Sequence, residues 1–258
     1  IMQWNARAQK VGVVLSGGGA KGLFHIGVLQ ALEEEGIPVD YVSGTSMGAI
    51  VGGLYAIGYT PEEIGEILSS EQVLFWVTGQ IEDKYSYYFK QMDRRRYMLT
   101  VSLDPGDPGK RAKLPNHFVN STQLDLAFID FFSSATAACD GDFDELVVPF
   151  RCVSTDAMGK RAVTFSEGDL GHAIRSSMSI PFLFAPVRTD SMLLYDGGLA
   201  DNFPWRALMD DFGPDVLIGS KCVGAPLPAA GVSIADQPST ILNLNTAPSL
   251  PPETDLPI

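Results

Sequence analysis

Residues 41 to 57 constrain the fold more than any other stretch. They read Tyr41-Val42-Ser43-Gly44-Thr45-Ser46-Met47-Gly48-Ala49-Ile50-Val51-Gly52-Gly53-Leu54-Tyr55-Ala56-Ile57. A short apolar run leads into Gly44-x-Ser46-x-Gly48, and a helix of small residues follows. In a strand–turn–helix context that pattern is a nucleophile elbow. A side chain at the tip of so tight a turn needs small neighbours, because a Cβ two residues away collides with the crossing strand and helix. Glycine also tolerates the backbone angles of the turn. The helix beginning at Met47 aims free N–H groups and the positive end of its dipole at the site. The bland alternative is a glycine-rich turn whose serine only caps a helix.

At 258 residues and 45% hydrophobic content, the chain is large enough for one α/β domain with a full core. No stretch approaches the ~18–20 uninterrupted apolar residues of a membrane-spanning helix. A net charge of −13 argues against nucleic acid as a partner, since phosphate contacts need a basic surface. It also argues against general adhesion to anionic membranes. Cys139, Cys152 and Cys222 have no C-x-x-C spacing and are expected as free thiols, not a zinc site or disulfide framework. The sequence starts at Ile1 without a signal-type segment, as expected of a processed form or an excised piece.

Along the chain, residues 1–10 read as a lead-in and Val11 to Leu15 as a buried strand. A glycine loop follows, then a helix over Leu23 to Glu35 with Ile26, Leu29 and Leu32 on one face, ended by Gly36 and Pro38. After the elbow helix, Thr60-Pro61-Glu62-Glu63 is a capping box opening a helix to about Leu68. This βαβα order implies a parallel sheet covered by helices. Residues 70 to 115 break the rhythm. They are aromatic first and then basic, with seven Lys and Arg against three Asp in 90–113. They read as a solvated hairpin or as a rim meeting an anionic headgroup, and the aromatic part, 75–89, as a core cluster or a wall for an acyl chain. Ser121 to Ser134 is a helix with Leu124, Phe128, Ile129 and Phe132 inward. Strands are expected at Val147 to Ser154 and Ala162 to Phe165, and an Asp169-capped helix to about Met178. Next come a hairpin turning at Thr189-Asp190-Ser191, a helix after Phe203-Pro204, and a core strand at Val216 to Ile218. Residues 225–258 are proline-rich and read as a tail or linker.

A serine nucleophile needs a base and donors for an oxyanion. In the chain order usual for α/β-hydrolases the histidine follows the acid, yet the last histidine here is His172. His25, His117 and His172 read as structural or surface residues. The remaining candidate base is Asp196, at a strand end and followed by Gly197 and Gly198. An aspartate near its usual ~3.9 is a weak base for a hydroxyl, and burial raises it. Gly17-Gly18-Gly19-Ala20-Lys21-Gly22 supplies consecutive unshielded N–H groups at the end of the first strand. The same glycines fit the dinucleotide fingerprint G-x-G-x-x-G. That reading wants an acid at the end of the second strand, whereas Asp40 precedes it.

Taken in order, Gly17–Gly22, Gly44-Thr45-Ser46-Met47-Gly48 and Asp196-Gly197-Gly198 resemble the patatin-like phospholipase family. Ala173 to Pro181 and Asp201-Asn202-Phe203-Pro204 look familial too, and the resemblance covers about residues 11–224. It implies a three-layer α/β fold with a mostly parallel central sheet flanked by helices. It also implies a serine lipid acyl hydrolase with a Ser–Asp dyad, no histidine, no metal and no cofactor. Position by position, Ser46 would be the nucleophile, Asp196 the base, and the amides of Gly17, Gly18, Gly19 and Met47 the oxyanion hole. Gly22, Gly44, Gly48, Gly197 and Gly198 would be the motif glycines. The expected partner is a phospholipid or other acyl-ester lipid, with transient contact at a membrane surface. Gly53 to Tyr59 resembles bacterial members ahead of a membrane-embedded barrel, which implies a secreted or outer-membrane passenger. A non-catalytic lipid or nucleotide binder and an acyltransferase are the alternatives on the same fold.

Overall fold

In the computed structural model, residues 9–80 and 118–222 are described. Four parallel strands form the centre in the order β7-β1-β2-β3: β1 (Val11–Leu15), β2 (Tyr41–Thr45), β3 (Phe150–Asp156) and β7 (Val216–Ser220). β1 is buried along its whole length, as expected of a β-branched run covered on both faces. Three further strands each pair antiparallel with a neighbour, so that β4 and β6 run against this direction and β5 along it. β4 (Arg161–Phe165) lies on the outer edge of β3. β6 (Leu193–Asp196) pairs with the end of β3, and β5 (Val187–Arg188) pairs with β6. The sheet is therefore mixed, with the expected parallel centre and antiparallel pairs added at β3 and β6. The crossover helices produce the parallel half, and two short hairpins, turning after Asp156 and after Arg188, produce the other.

Helices cover both faces. α1 (Phe24–Glu34), α2 (Met47–Ala56), α3 (Pro61–Ser69), α4 (Gln72–Thr78), α5 (Thr122–Ala138) and α6 (Leu170–Ser177) share the main core with one face of the sheet. α7 (Trp205–Asp211) covers the other face, where a Cβ on Gly12 would lie 3.1 Å from Leu208. α2 is the central element, with only Met47 and Tyr55 of its residues not fully buried. Its glycines allow this closeness: a Cβ on Gly52 would lie 2.9 Å from Val42, and one on Gly53 would run into Ile174. Thr60 and Glu63 close a reciprocal capping box on α3, and Asp169 caps α6 through the His172 amide at 2.6 Å.

Several sequence expectations shift. In α5, Leu124, Phe128 and Phe132 are buried, but Ile129 is 61% exposed and Gln123 takes the inner position. β3 begins at Phe150, and Val147 is 75% exposed, because Pro149 interrupts the run and the Val148 amide turns to Ala56. β7 is half-buried, with Val216 and Ile218 packed against the core, and it is the last strand on its side of the sheet among the described residues. Trp76 packs edge-on against Phe131, with ring centroids 5.9 Å apart, so this part of the aromatic stretch is core. The basic rim, residues 81–117 and the tail from 223 lie outside the described residues. Among the described residues no helix is long and apolar enough to cross a membrane.

Candidate active site

Ser46 leaves β2 with φ 55° and ψ −119°, a backbone region that non-glycine residues occupy only where the surroundings enforce it. The enforcement is steric. A Cβ on Gly44 would run into the carbonyl of Gly48, and a Cβ on Gly48 into the carbonyl of Leu15. The strand, turn and helix can thus approach only because both flanking residues lack side chains.

Asp196 reaches the same point from β6. Ser46 Oγ donates to Asp196 Oδ2 at 2.7 Å, and Asp196 Oδ1 accepts the Gly198 amide at 2.7 Å. Ser46 is 6% exposed and Asp196 is fully buried. Burial pushes the Asp196 carboxyl up to about 6, against the lowering effect of the bonds from Ser46 and Gly198. Gly197 lets the strand end fold in, since a Cβ there would collide with the Val153 carbonyl; one on Gly198 would lie 2.8 Å from Asn202 Oδ1.

The glycine loop meets the elbow directly, with an added Cβ on Gly17 falling 3.2 Å from that of Ser46. The structure divides the four expected oxyanion amides. Gly17 N–H donates to the Asn202 carbonyl at 3.1 Å, so it is engaged within the protein, unlike the expectation for this residue. The amides of Gly18, Gly19 and Met47 have no acceptor among the described residues. Gly22 makes room for the Met47 side chain, which a Cβ would meet at 2.5 Å. Asp40 sits at the far end of the sheet, accepting the Val11 amide at 2.9 Å, away from the position a ribose-binding acid would need.

No histidine bonds to Ser46 or Asp196 among the described residues. His25 is fully buried. Its Nε2 lies 2.7 Å from the Ser16 carbonyl and its Nδ1 2.7 Å from Ser220 Oγ. A carbonyl only accepts, so Nε2 carries the proton and Nδ1 accepts from Ser220. Burial lowers the His25 pKa, which favours this neutral form. His172 is exposed, and His117 lies outside the described residues. Cys139, Cys152 and Cys222 are free thiols.

The site also depends on residues to which the sequence reading gave no role. Ser177 Oγ accepts the Ser46 amide at 3.0 Å. Asn202 holds Gly17 from both sides, its side chain donating to the Gly17 carbonyl at 3.4 Å. Thr45 Oγ1 donates to the Asp201 carbonyl at 2.9 Å. The available signal was the run Arg175-Ser176-Ser177-Met178-Ser179, polar residues at a helix end that is fully buried through Ser177.

A serine on a strained strand-to-helix turn, bonded to a buried carboxylate beside loop amides that have no acceptor among the described residues, defines the site of a nucleophile-elbow α/β protein. The chain belongs to the patatin-like phospholipase family, whose profile matches residues 13–209. It is 31% identical over 215 residues to a patatin-like phospholipase domain-containing protein of Caenorhabditis elegans, covering 83% of this chain and 13% of that one. It is 30% identical over 195 residues to an uncharacterized NTE family protein of Mycobacterium bovis, covering 76% and 44%. It is 30% identical over 245 residues to lysophospholipase nte1 of Emericella nidulans, covering 93% and 14%. The chain thus spans less than half the length of these relatives. They come from bacteria and eukaryotes alike, so the family does not single out a bacterial origin. The crystal structure of VipD from Legionella pneumophila shares the fold at 16% identity and a TM-score of 0.50, over 83% of this chain and 49% of that one.

Proposed function

We propose that this domain is a serine acyl hydrolase that cleaves fatty-acyl esters of phospholipids or lysophospholipids. The observation that carries the reading is the 2.7 Å bond from Ser46 Oγ to the fully buried Asp196. In the proposed cycle Asp196 takes the Ser46 proton as Oγ attacks the ester carbonyl. The developing oxyanion is met by the amides of Gly18 and Gly19, with Met47 N–H at the start of α2. The tetrahedral intermediate collapses, the proton passes from Asp196 to the departing alcohol, and an acyl-Ser46 ester remains. Asp196 then takes a proton from a water that attacks the acyl-enzyme, and passes it to the departing Ser46 Oγ as the fatty acid is released. A base poised near 6 is far better matched to this work at neutral pH than an ordinary aspartate.

The substrate class is supported by relatives named as lysophospholipases. The test is fatty-acid release from mixed micelles of phosphatidylcholine and lysophosphatidylcholine, wild type beside Ser46→Ala. Release that disappears with Ser46 supports the reading, and equal release from both proteins overturns it.

A further inference from the structure

The two residues of the proposed dyad are 150 positions apart in the chain, yet both give their backbone N–H to one three-residue segment. Ser46 N donates to Ser177 Oγ at 3.0 Å, and Asp196 N donates to the Ser179 carbonyl at 2.9 Å. The ladder between β2 and β3 ends at Thr45 opposite Val153, so the amide of Ser46 has left the sheet. At 6% exposure water does not readily replace the missing acceptor, and an orphaned amide there would be costly. Ser177 Oγ supplies the acceptor while donating its own proton to the Val153 carbonyl at 2.6 Å. The hydroxyl is thereby aimed with its lone pairs at Ser46. The segment itself is held from α5: the buried Arg175 donates to Asp125 at 2.6 Å and to Ser179 Oγ at 2.7 Å.

From this geometry we propose that Ser177 is a positioning residue for the nucleophile, fixing the elbow so that Ser46 Oγ stays on Asp196. Ser176 provides the contrast. It is equally buried, but its hydroxyl bonds Ser154 Oγ at 2.6 Å and the Ala173 carbonyl at 2.7 Å, and hydrogen-bonds to neither dyad residue. Both hydroxyls stabilise the fold, and Ser177 alone orients the reacting group.

This inference rests on Ser46 being the nucleophile, and one experiment separates the two ideas. Single-turnover phosphonylation by a fluorophosphonate is measured for wild type, Ser46→Ala, Ser177→Ala, Ser177→Cys and Ser176→Ala, corrected for folded fraction by near-ultraviolet circular dichroism. Ser177→Cys leaves no cavity but replaces the hydroxyl by a larger, weakly accepting sulfur, so it reports even where the alanine variant folds poorly. Ser177→Ala and Ser177→Cys should slow bond formation at least ~10-fold with little change in probe affinity, within the ~10²-fold cost of misplacing a reacting group by about 1 Å. Ser176→Ala should stay within about twofold of wild type. Equal slowing by the Ser176 and Ser177 variants, or a wild-type rate in folded Ser177→Cys, overturns the proposal. Labelling that persists in Ser46→Ala overturns the nucleophile assignment instead.

Discussion

Thr45 and Asp196 occupy successive positions along one edge of β3, Thr45 opposite Val153 in a parallel ladder and Asp196 opposite Ser154 in an antiparallel one. β2 ends where β6 takes over the edge. The next residue of β2's chain is Ser46, so the strand that accepts both neighbours delivers the serine to the carboxylate. The mixed sheet is part of the site's construction, because an antiparallel β6 brings its C-terminal residue to the C-terminal end of β2.

Replacing Asp196 by Asn removes the proposed base while keeping the shape of the side chain. Fatty-acid release is expected to fall in kcat by ~10²–10⁴-fold, the usual worth of a general base, with KM little changed. Steady-state kinetics on lysophosphatidylcholine checks this.

The pH dependence has a defined sign. Asp196 acts as a base only when ionised, so kcat/KM should rise with pH through about 6, the value to which burial pushes it. Stability should move the other way. The folded protein holds this proton up to about 6 and the unfolded chain only to about 3.8, so the group's contribution is greatest below about 4 and is lost as pH rises to about 6. Asp196→Asn removes that loss. Its stability relative to wild type should improve by on the order of 2–3 kcal/mol between pH 4 and pH 7, measured by urea unfolding at both values.

The elbow glycines should tolerate no side chain. Gly48→Ala places a methyl against the backbone of Leu15 and Ser16, which cannot move as a flexible side chain would. A loss of at least ~1–3 kcal/mol is expected, with activity falling further than stability because Ser46 is displaced. Thermal unfolding and phosphonylation rates, measured on the same sample, test both parts.

Arg175 joins α5 to the segment under the dyad through its bonds to Asp125 and Ser179 and its stacking 5.4 Å from Phe184. Arg175→Met keeps much of the volume but leaves the Ser179 hydroxyl without its donor. Because the Asp125 side chain is 47% exposed, water partly compensates, and a cost on the order of 1–3 kcal/mol is expected. Denaturant unfolding gives the value.

Much of this site was legible in the sequence because its elements are local. Gly44-x-Ser46-x-Gly48 writes a turn, Gly17 to Gly22 a loop without side chains, and Asp196-Gly197-Gly198 a carboxylate at a strand end. The register of β6 on β3 was not legible, since two hairpins of ordinary composition decide it. Nor was the engagement of Gly17, whose amide is taken by Asn202 across 185 residues. Ile129 misled because its helical spacing fits the core stripe, while α5 turns that position outward beside the cleft it shares with α6. Ser177 carried no periodic signal, and its role exists only because β2 ends at Thr45.

The most direct test of the account is the site and rate of covalent labelling by a fluorophosphonate in wild type, Ser46→Ala and Asp196→Asn, read by peptide mass spectrometry. One adduct is expected on the Ser46 peptide, none in Ser46→Ala, and formation slowed ~10²-fold or more in Asp196→Asn. An adduct elsewhere that survives in folded Ser46→Ala, or a wild-type rate in folded Asp196→Asn, would contradict it.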